Sequence, residues 1–207
     1  MGVAVYNAAM EPTHITTIAQ PTQSEHKAKG SRFLGCAFPI SHADDTKPIL
    51  ARLHDEHHKA VHWCYAYRLG HDGSQFRAND DGEPSGSAGM PILRQIDSAG
   101  LSDVLVVVVR YFGGTLLGVP GLIQAYKQAA VLALQAAERL EKPILIDAHL
   151  QFSYEKISDV MRLIKRCDVG IVKQDMDWQV SMQLAVPKLH YPSFVKQLQD
   201  WHWLKWQ

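Results

Sequence analysis

The stretch Asp103–Tyr126, DVLVVVVRYFGGTLLGVPGLIQAY, organises the chain. Its apolar run, Val104 to Val109, spans six residues, far short of the about 20 that cross a bilayer as a helix. β-Branched residues dominate the run and turn residues flank it. It reads as a strand that is central in a sheet and covered on both faces. Arg110, Tyr111 and Phe112 follow, then Gly113 and Gly114, whose missing Cβ atoms permit a tight turn. A helix is expected over Leu122 to Leu140, with Leu122, Ala125, Tyr126, Ala129, Ala133, Ala136 and Leu140 at helical spacing. A buried strand thus delivers a charged side chain, two aromatics and a loop to one end of a sheet, the end at which open α/β layers build their sites.

Gly113 to Gly118 has the spacing of a phosphate-binding GxxxxG loop, but Val119 and Pro120 stand where Lys and Ser or Thr are required. A nucleotide site would lack its phosphate cation and its Mg ligand. Backbone N–H groups at the following helix start can still hold an anion. The plainer reading is a strand-to-helix turn without a ligand. No cofactor is expected.

Composition narrows the function classes. Lys plus Arg and Asp plus Glu number 21 each, so the formal net charge is zero and RNA contact requires a local patch, not global steering. A length of 207 residues with 46% apolar content fits one or two soluble domains. Cys36, Cys64 and Cys167 are far apart with no CxxC, which points to reduced thiols in a cytoplasmic protein. The opening MGVAVYNAAMEPT has no basic residue ahead of its short apolar stretch and is no convincing signal peptide; 1–13 is expected to be a disordered leader.

In chain order, strands are expected at His14–Gln20, Arg32–Ile40 and Val61–Leu69, with Ser24–Ser31 as a turn or exposed loop. Ser41 to His58 reads as a helix, capped by Ser41, with Asp44 and Asp45 facing the positive dipole end and Pro48 in the first turn. Val61, Trp63, Tyr65, Tyr67 and Leu69 fall on one strand face, His62, Cys64, Ala66 and Arg68 on the other. A short strand at Gln75–Arg77 precedes the turn-rich NDDGEPSGSAG of Asn79–Gly89, and a helix from about Gly86 to Asp97 is expected to be capped by Ser85 or Ser87. Lys142-Pro143 is the best domain boundary. Beyond it, ILIDAHLQFSY reads as a strand and Ile157–Cys167 as a helix that buries Ile157, Val160, Met161 and Ile164. Strands at Val169–Lys173 and Trp178–Val186, a helix at Lys188–Gln199 and a closing strand at Trp201–Trp206 complete β-α-β-β-α-β, the ferredoxin-like order.

Three groups carry candidate chemistry. Asp80, Asp81 and Glu83 suit a divalent cation site or a general acid–base pair, or else an Asp-Gly turn that complements the next helix; Asp80 or Glu83 is also placed to pair with Arg110. Ser85 and Ser87 fail the G-x-S-x-G pattern. His54, Glu56, His57, His58 and His62 cluster, and His54 with His58 has metal-ligand spacing. The HExxH order is missing, solvated helix-end histidines are the commoner case, and no metal centre is expected. Trp201, Trp203 and Trp206, with His202 and Lys205, suit base stacking or, more plainly, core and rim.

The motifs HWCYAY (His62–Tyr67), DDGEPSGSAG (Asp80–Gly89) and VVVRYFGGTLLG (Val107–Gly118), followed by GLIQAY, together resemble the IMPACT family in its bacterial YigZ-like form. The likeness runs from about residue 14 to the C-terminus. It implies an α+β protein of two α/β-sandwich domains. The first, 14–141, is similar to the second domain of a small-subunit ribosomal protein; the second, 142–207, is ferredoxin-like, and the pair resembles the last domains of elongation factor G. Eukaryotic members regulate translation by competing for an activator of a starvation-responsive kinase, a pathway that does not transfer to a two-domain bacterial-type chain; it is the likeness to translation factors that implies RNA or ribosome binding near translation. The implied surface is Asp80, Asp81, Gly82, Glu83, Pro84, Ser85 and Gly86 with Arg110, Tyr111, Phe112, Gly113 and Gly114, and Lys29 and Arg32 as candidate phosphate contacts. Partners are RNA, the ribosome or a translation-related protein, with no membrane. Alternatives are a hydrolase using Asp80, Asp81, Glu83 and Arg110, and a protein-interaction regulator without catalysis. The chain departs from the family pattern at Val119-Pro120, where a small residue and Gly are usual, and at Gln124, where a basic residue is common.

Overall fold

The computed structural model describes residues 12–207. Of the expected leader only Pro12 and Thr13 fall within that range, and Thr13 is tied down, its carbonyl accepting the Ile144 N–H at 2.8 Å. The elements run β1 (His14–Ile18), β2 (Thr22–Ala28), β3 (Ser31–Pro39), α1 (Thr46–Glu56), β4 (His62–Leu69), β5 (Gln75–Asn79), α2 (Gly89–Ser98), β6 (Val104–Tyr111), α3 (Gly118–Gln135) and β7 (Arg139–Pro143). Then come β8 (Leu145–Phe152), α4 (Ile157–Arg166), β9 (Gly170–Met176), β10 (Val180–Pro187), α5 (Tyr191–Gln199) and β11 (Lys205–Trp206). The chain divides into two compact units, one over Ile15–Lys142 and one over Pro143–Gln207 together with the described residues up to His14. Among the described residues, no helix is long and apolar enough to cross a membrane.

In the first unit five strands lie in the order β2-β3-β6-β4-β5. The run Val104–Val109 is the middle strand, β6, and all six residues are buried. Strand alternation splits them between two cores. Val104, Val106 and Val108 pack with Ile92 and Ile96 of α2 and with the alanine stripe of α3. Leu105, Val107 and Val109 pack with Leu53 of α1 and with Trp63, Tyr65 and Tyr67. Every pairing in this sheet is antiparallel, so the rule for the carboxyl ends of parallel strands does not apply. The end of β6 is built up by neighbouring loops instead.

Several boundaries differ from the sequence expectation. Ser24–Ser31 is not a loop: β2 is a polar edge strand whose inward positions are Thr22, Ser24, His26 and Ala28, of which only Ala28 is apolar. Thr22 Oγ1 donates to the Ala133 carbonyl at 2.9 Å and Ser24 Oγ to that of Ala129 at 3.4 Å. Helix α3 begins at Gly118 and ends at Gln135; Leu140 belongs to β7, which pairs with β1.

The second unit has four antiparallel strands in the order β11-β8-β10-β9. One face packs Leu150, Phe152, Met182 and Leu184 against Val160, Leu163 and Ile164 of α4 and Phe194 and Leu198 of α5. Met161, expected inside, is exposed, and Leu163 takes the inward place. The closing strand shrinks to Lys205–Trp206, because Trp201 and Trp203 stack on each other at 4.9 Å in the preceding turn. Trp178 lies between β9 and β10, 86% exposed.

Candidate functional site

Sheet register sets the floor of the site. Arg110, near the end of β6, lies opposite Phe33 of β3 and His62 of β4. Directly opposed residues share a face, so the three form a row beneath α2 and α3. Arg110 is only 5% exposed. A buried guanidinium needs a counter-charge, and Glu83, 8% exposed, supplies it: Arg110 Nη1 donates to Glu83 Oε1 at 2.6 Å. The same oxygen accepts the Tyr126 hydroxyl of α3 at 2.6 Å. The guanidinium also sits over the rings of Phe33 and Phe112, at 5.5 and 5.7 Å from their centroids, a favourable cation–π arrangement. Its Nε is buried without a partner among the described residues. Burial above all, then Cys64 and Glu83, pushes the Tyr126 phenol far above its ordinary value, which keeps the hydroxyl a donor.

The loop that carries Glu83 is held by its own carboxylates. Asp80 Oδ1 accepts from the backbone N–H of Ala88 and Gly89 at 3.0 and 2.8 Å, and Oδ2 from Gly86 at 2.8 Å. Asp80, not Ser85 or Ser87, satisfies the open N–H groups at the start of α2; Ser87 Oγ turns back to the Pro84 carbonyl and Ser85 is exposed. The close approach depends on Gly89, where a Cβ would lie 2.5 Å from the Asn79 nitrogen. Asp81 has φ 43°; its Oδ2 accepts the Trp63 N–H at 2.6 Å, and its carbonyl lies 2.7 Å from His62 Nδ1. Gly82, at φ 83°, carries the turn on to Glu83.

The remaining candidates fall around this core. Gly113 abuts Gly30, with its N–H donated to Ser31 Oγ at 3.1 Å, so the β2–β3 turn is fastened to the end of β6. Lys29 sits exposed in that turn at φ 45°. Arg32 pairs with Glu25 at 2.6 Å and covers the Tyr111 ring, and Arg32, then Lys27, lowers the Glu25 carboxyl. Tyr111 lies on the opposite sheet face, its hydroxyl 2.8 Å from His57 Nδ1. Gly114 is exposed at φ 84°. The histidines diverge, since His54 stacks on Trp63 at 3.9 Å while His57 and His62 serve the two different partners above. Among the described residues, no three His, Cys, Asp or Glu side chains are grouped to hold a metal ion.

Beside Arg110 and Glu83 lies a cavity of about 450 Å³. His62, Glu83, Pro84 and Arg110 bound it on one side; Val61, Phe112, Leu116, Leu117, Val119 and Leu122 complete the lining. Sequence reading missed the wall from Leu116 to Leu122 because an apolar loop between a strand and a helix looks like packing. The visible signal was Leu116, Leu117 and Val119 in a glycine-rich loop.

The Impact N-terminal domain family matches residues 29–134. IMPACT family member YigZ of Escherichia coli is 33% identical over 184 residues, covering 88% of this chain and 90% of that protein. An IMPACT family member of Haemophilus influenzae is 31% identical over 178 residues, 85% of this chain and 86% of its own. Protein IMPACT of Rattus norvegicus is 34% identical over 93 residues, only 29% of its length. A crystal structure of a hypothetical protein superposes with a TM-score of 0.79 at 31% identity, covering 94% of this chain and 97% of that one. The shared motifs, the match over most of the chain and the common fold make one conclusion: this chain is a YigZ-like member of the IMPACT family.

Proposed function

We propose that this protein associates with RNA or the ribosome in or near the regulation of translation, in the cytoplasm, and that it acts by binding. One observation carries the reading. The charged groups of the Asp80–Glu83 loop and Arg110 are already engaged inside the protein, while apolar groups line the adjoining cavity. A hydrolase needs a carboxylate free to move a proton or hold a metal. Asp80 meets three backbone N–H groups and Asp81 a fourth, which favours a binding surface over that alternative. Arg110 is likewise spent on Glu83. Phosphate contact falls to Lys29 and Arg32 on the β2–β3 turn, where the Arg32–Glu25 pair is an exposed surface ion pair, screened by solvent, that yields easily to a phosphate. The second reading, a protein-interaction regulator, is favoured by the cavity itself.

The order of elements and strands in Pro143–Gln207 supports a ferredoxin-like unit. The first domain, over 14–141, is read as one of ribosomal-protein type. The test is sedimentation of cell extract containing the untagged chain through sucrose at low and high salt. Co-migration with ribosomal particles is expected. Loss at high salt assigns the contact to phosphates; persistence assigns it to a protein component. Protein that stays at the top of the gradient at both salts overturns the proposal.

A further inference from the structure

The cavity beside Arg110 combines an apolar lining, a buried donor without a partner among the described residues and a charge imbalance. Its volume, about 450 Å³, falls within the range of ligand pockets, roughly 300–1,000 Å³. Leu116 is 82% exposed and Val119 46%, and Phe112 is exposed beside them. Apolar groups gathered at a concave site, not scattered singly, mark a place where another molecule removes them from water. Arg110 Nε, buried among the lining groups with no acceptor, leaves a hydrogen bond to be made.

Charge decides between a base and a peptide as the occupant. Glu83 and Arg110 both line the cavity and meet each other's charge, and Asp80 and Asp81 precede Glu83 on the same loop. Two negative charges remain on the loop. They oppose a phosphodiester and attract a cation. Both hydrogen bonds to Glu83 end on Oε1, and Oε2 has no protein donor among the described residues. The site therefore offers an acceptor, Glu83 Oε2, and a donor, Arg110 Nε, next to an apolar trough. A peptide unit with an apolar side chain presents the complementary N–H, C=O and hydrocarbon.

We propose that this cavity is a peptide-docking site for a partner protein segment that presents a large apolar side chain with Lys or Arg beside it. The inference rests on the binding reading above and adds the chemistry of the partner. Leu116, Phe112 and Val119 take the apolar anchor; the Asp80–Glu83 loop takes the flanking cation.

The test is selection from a random-peptide phage library on the full-length chain, followed by titration of the enriched peptides, synthesised and fluorescently labelled. Enriched peptides are expected to share an apolar residue flanked by Lys or Arg. Their affinity should fall at least about tenfold in Leu116→Ser/Val119→Ser, two exposed positions whose change is expected to keep the folded circular dichroism spectrum, and should weaken as salt rises. Enrichment of acidic peptides, no enrichment, or equal binding to the variant overturns the proposal. So does a labelled uridine dodecamer that binds the parent chain and loses affinity in the same variant, because the occupant is then RNA. Failure here with ribosomal co-migration intact removes the peptide site and leaves the translation reading standing. Peptide binding without co-migration does the reverse.

Discussion

Arg110 shows how one residue can look like a surface phosphate contact and prove to be part of the core. A guanidinium that is 5% exposed persists only because Glu83 meets its charge and Tyr126 completes the carboxylate oxygen. Removing one partner of such a pair leaves a buried charge alone, at a cost of about 3–5 kcal/mol. Glu83→Ala is expected to lower unfolding stability by that amount in urea titration. Tyr126→Phe, which deletes one hydrogen bond to a charged acceptor, is expected to cost about 1.5–3 kcal/mol. The double variant should cost less than the sum, because the two share Oε1; strict additivity would show that they are not one network.

The buried thiols set an alkaline limit at the same scale. Burial, and then Glu56, pushes Cys36 from 9.0 up to about 11, and burial raises Cys64 as well. On unfolding these groups return to ordinary values and release protons more readily, so above about pH 9 the unfolded chain binds fewer protons than the folded one. Stability is expected to be full below about pH 9 and to fall as pH rises towards about 11. Urea midpoints that stay flat or rise across that window would refute the linkage.

At the scale of elements, three contacts join segments distant in sequence. Gly35 lets the backbone of α3 lie against β3: a Cβ there would stand 2.3 Å from the Ala129 carbonyl oxygen. Gly113 lets the end of β6 meet the β2–β3 turn, where a Cβ would be 1.9 Å from the Gly30 carbonyl carbon. Both obstacles are backbone, so Gly35→Ala and Gly113→Ala are each expected to lose at least the about 1–3 kcal/mol of core overpacking. Faster amide exchange should appear in α3 for the first and at the β2–β3 turn for the second. Asp80 is the third contact. Asp80→Ala strips the acceptors from two N–H groups at the start of α2 and from that of Gly86 in the preceding loop and is expected to cost about 2 kcal/mol, the upper end for a helix cap. Ser87→Ala, which loses only the bond to Pro84, should cost less. Equal losses for the two would return the capping role to serine.

For the whole molecule, each unit has its own core. Leu163→Ala, in the second unit, is expected to cost about 2–5 kcal/mol and to raise amide exchange within Pro143–Gln207. The central place of β6 and the two faces of β4 were legible in the residues because side-chain period and β-branching are local properties that report which face is buried. The family was legible because HWCYAY, DDGEPSGSAG and VVVRYFGG lie in a specific order. Polar β2 was not, since two of its four inward groups are hydroxyls bonded to helix carbonyls, a third is His26, and no apolar period announces them. Nor was the true cap of α2, which lies nine residues before Gly89 and reaches it only because a loop folds back. An ion pair between Arg110 and Asp80 or Glu83 was legible too, but folding alone decided that the partner is Glu83 and that Leu116 and Val119 wall a cavity. Those facts depend on the register of β3, β6 and β4 and on how closely α3 approaches them, and packing between distant segments leaves no periodic trace in the chain.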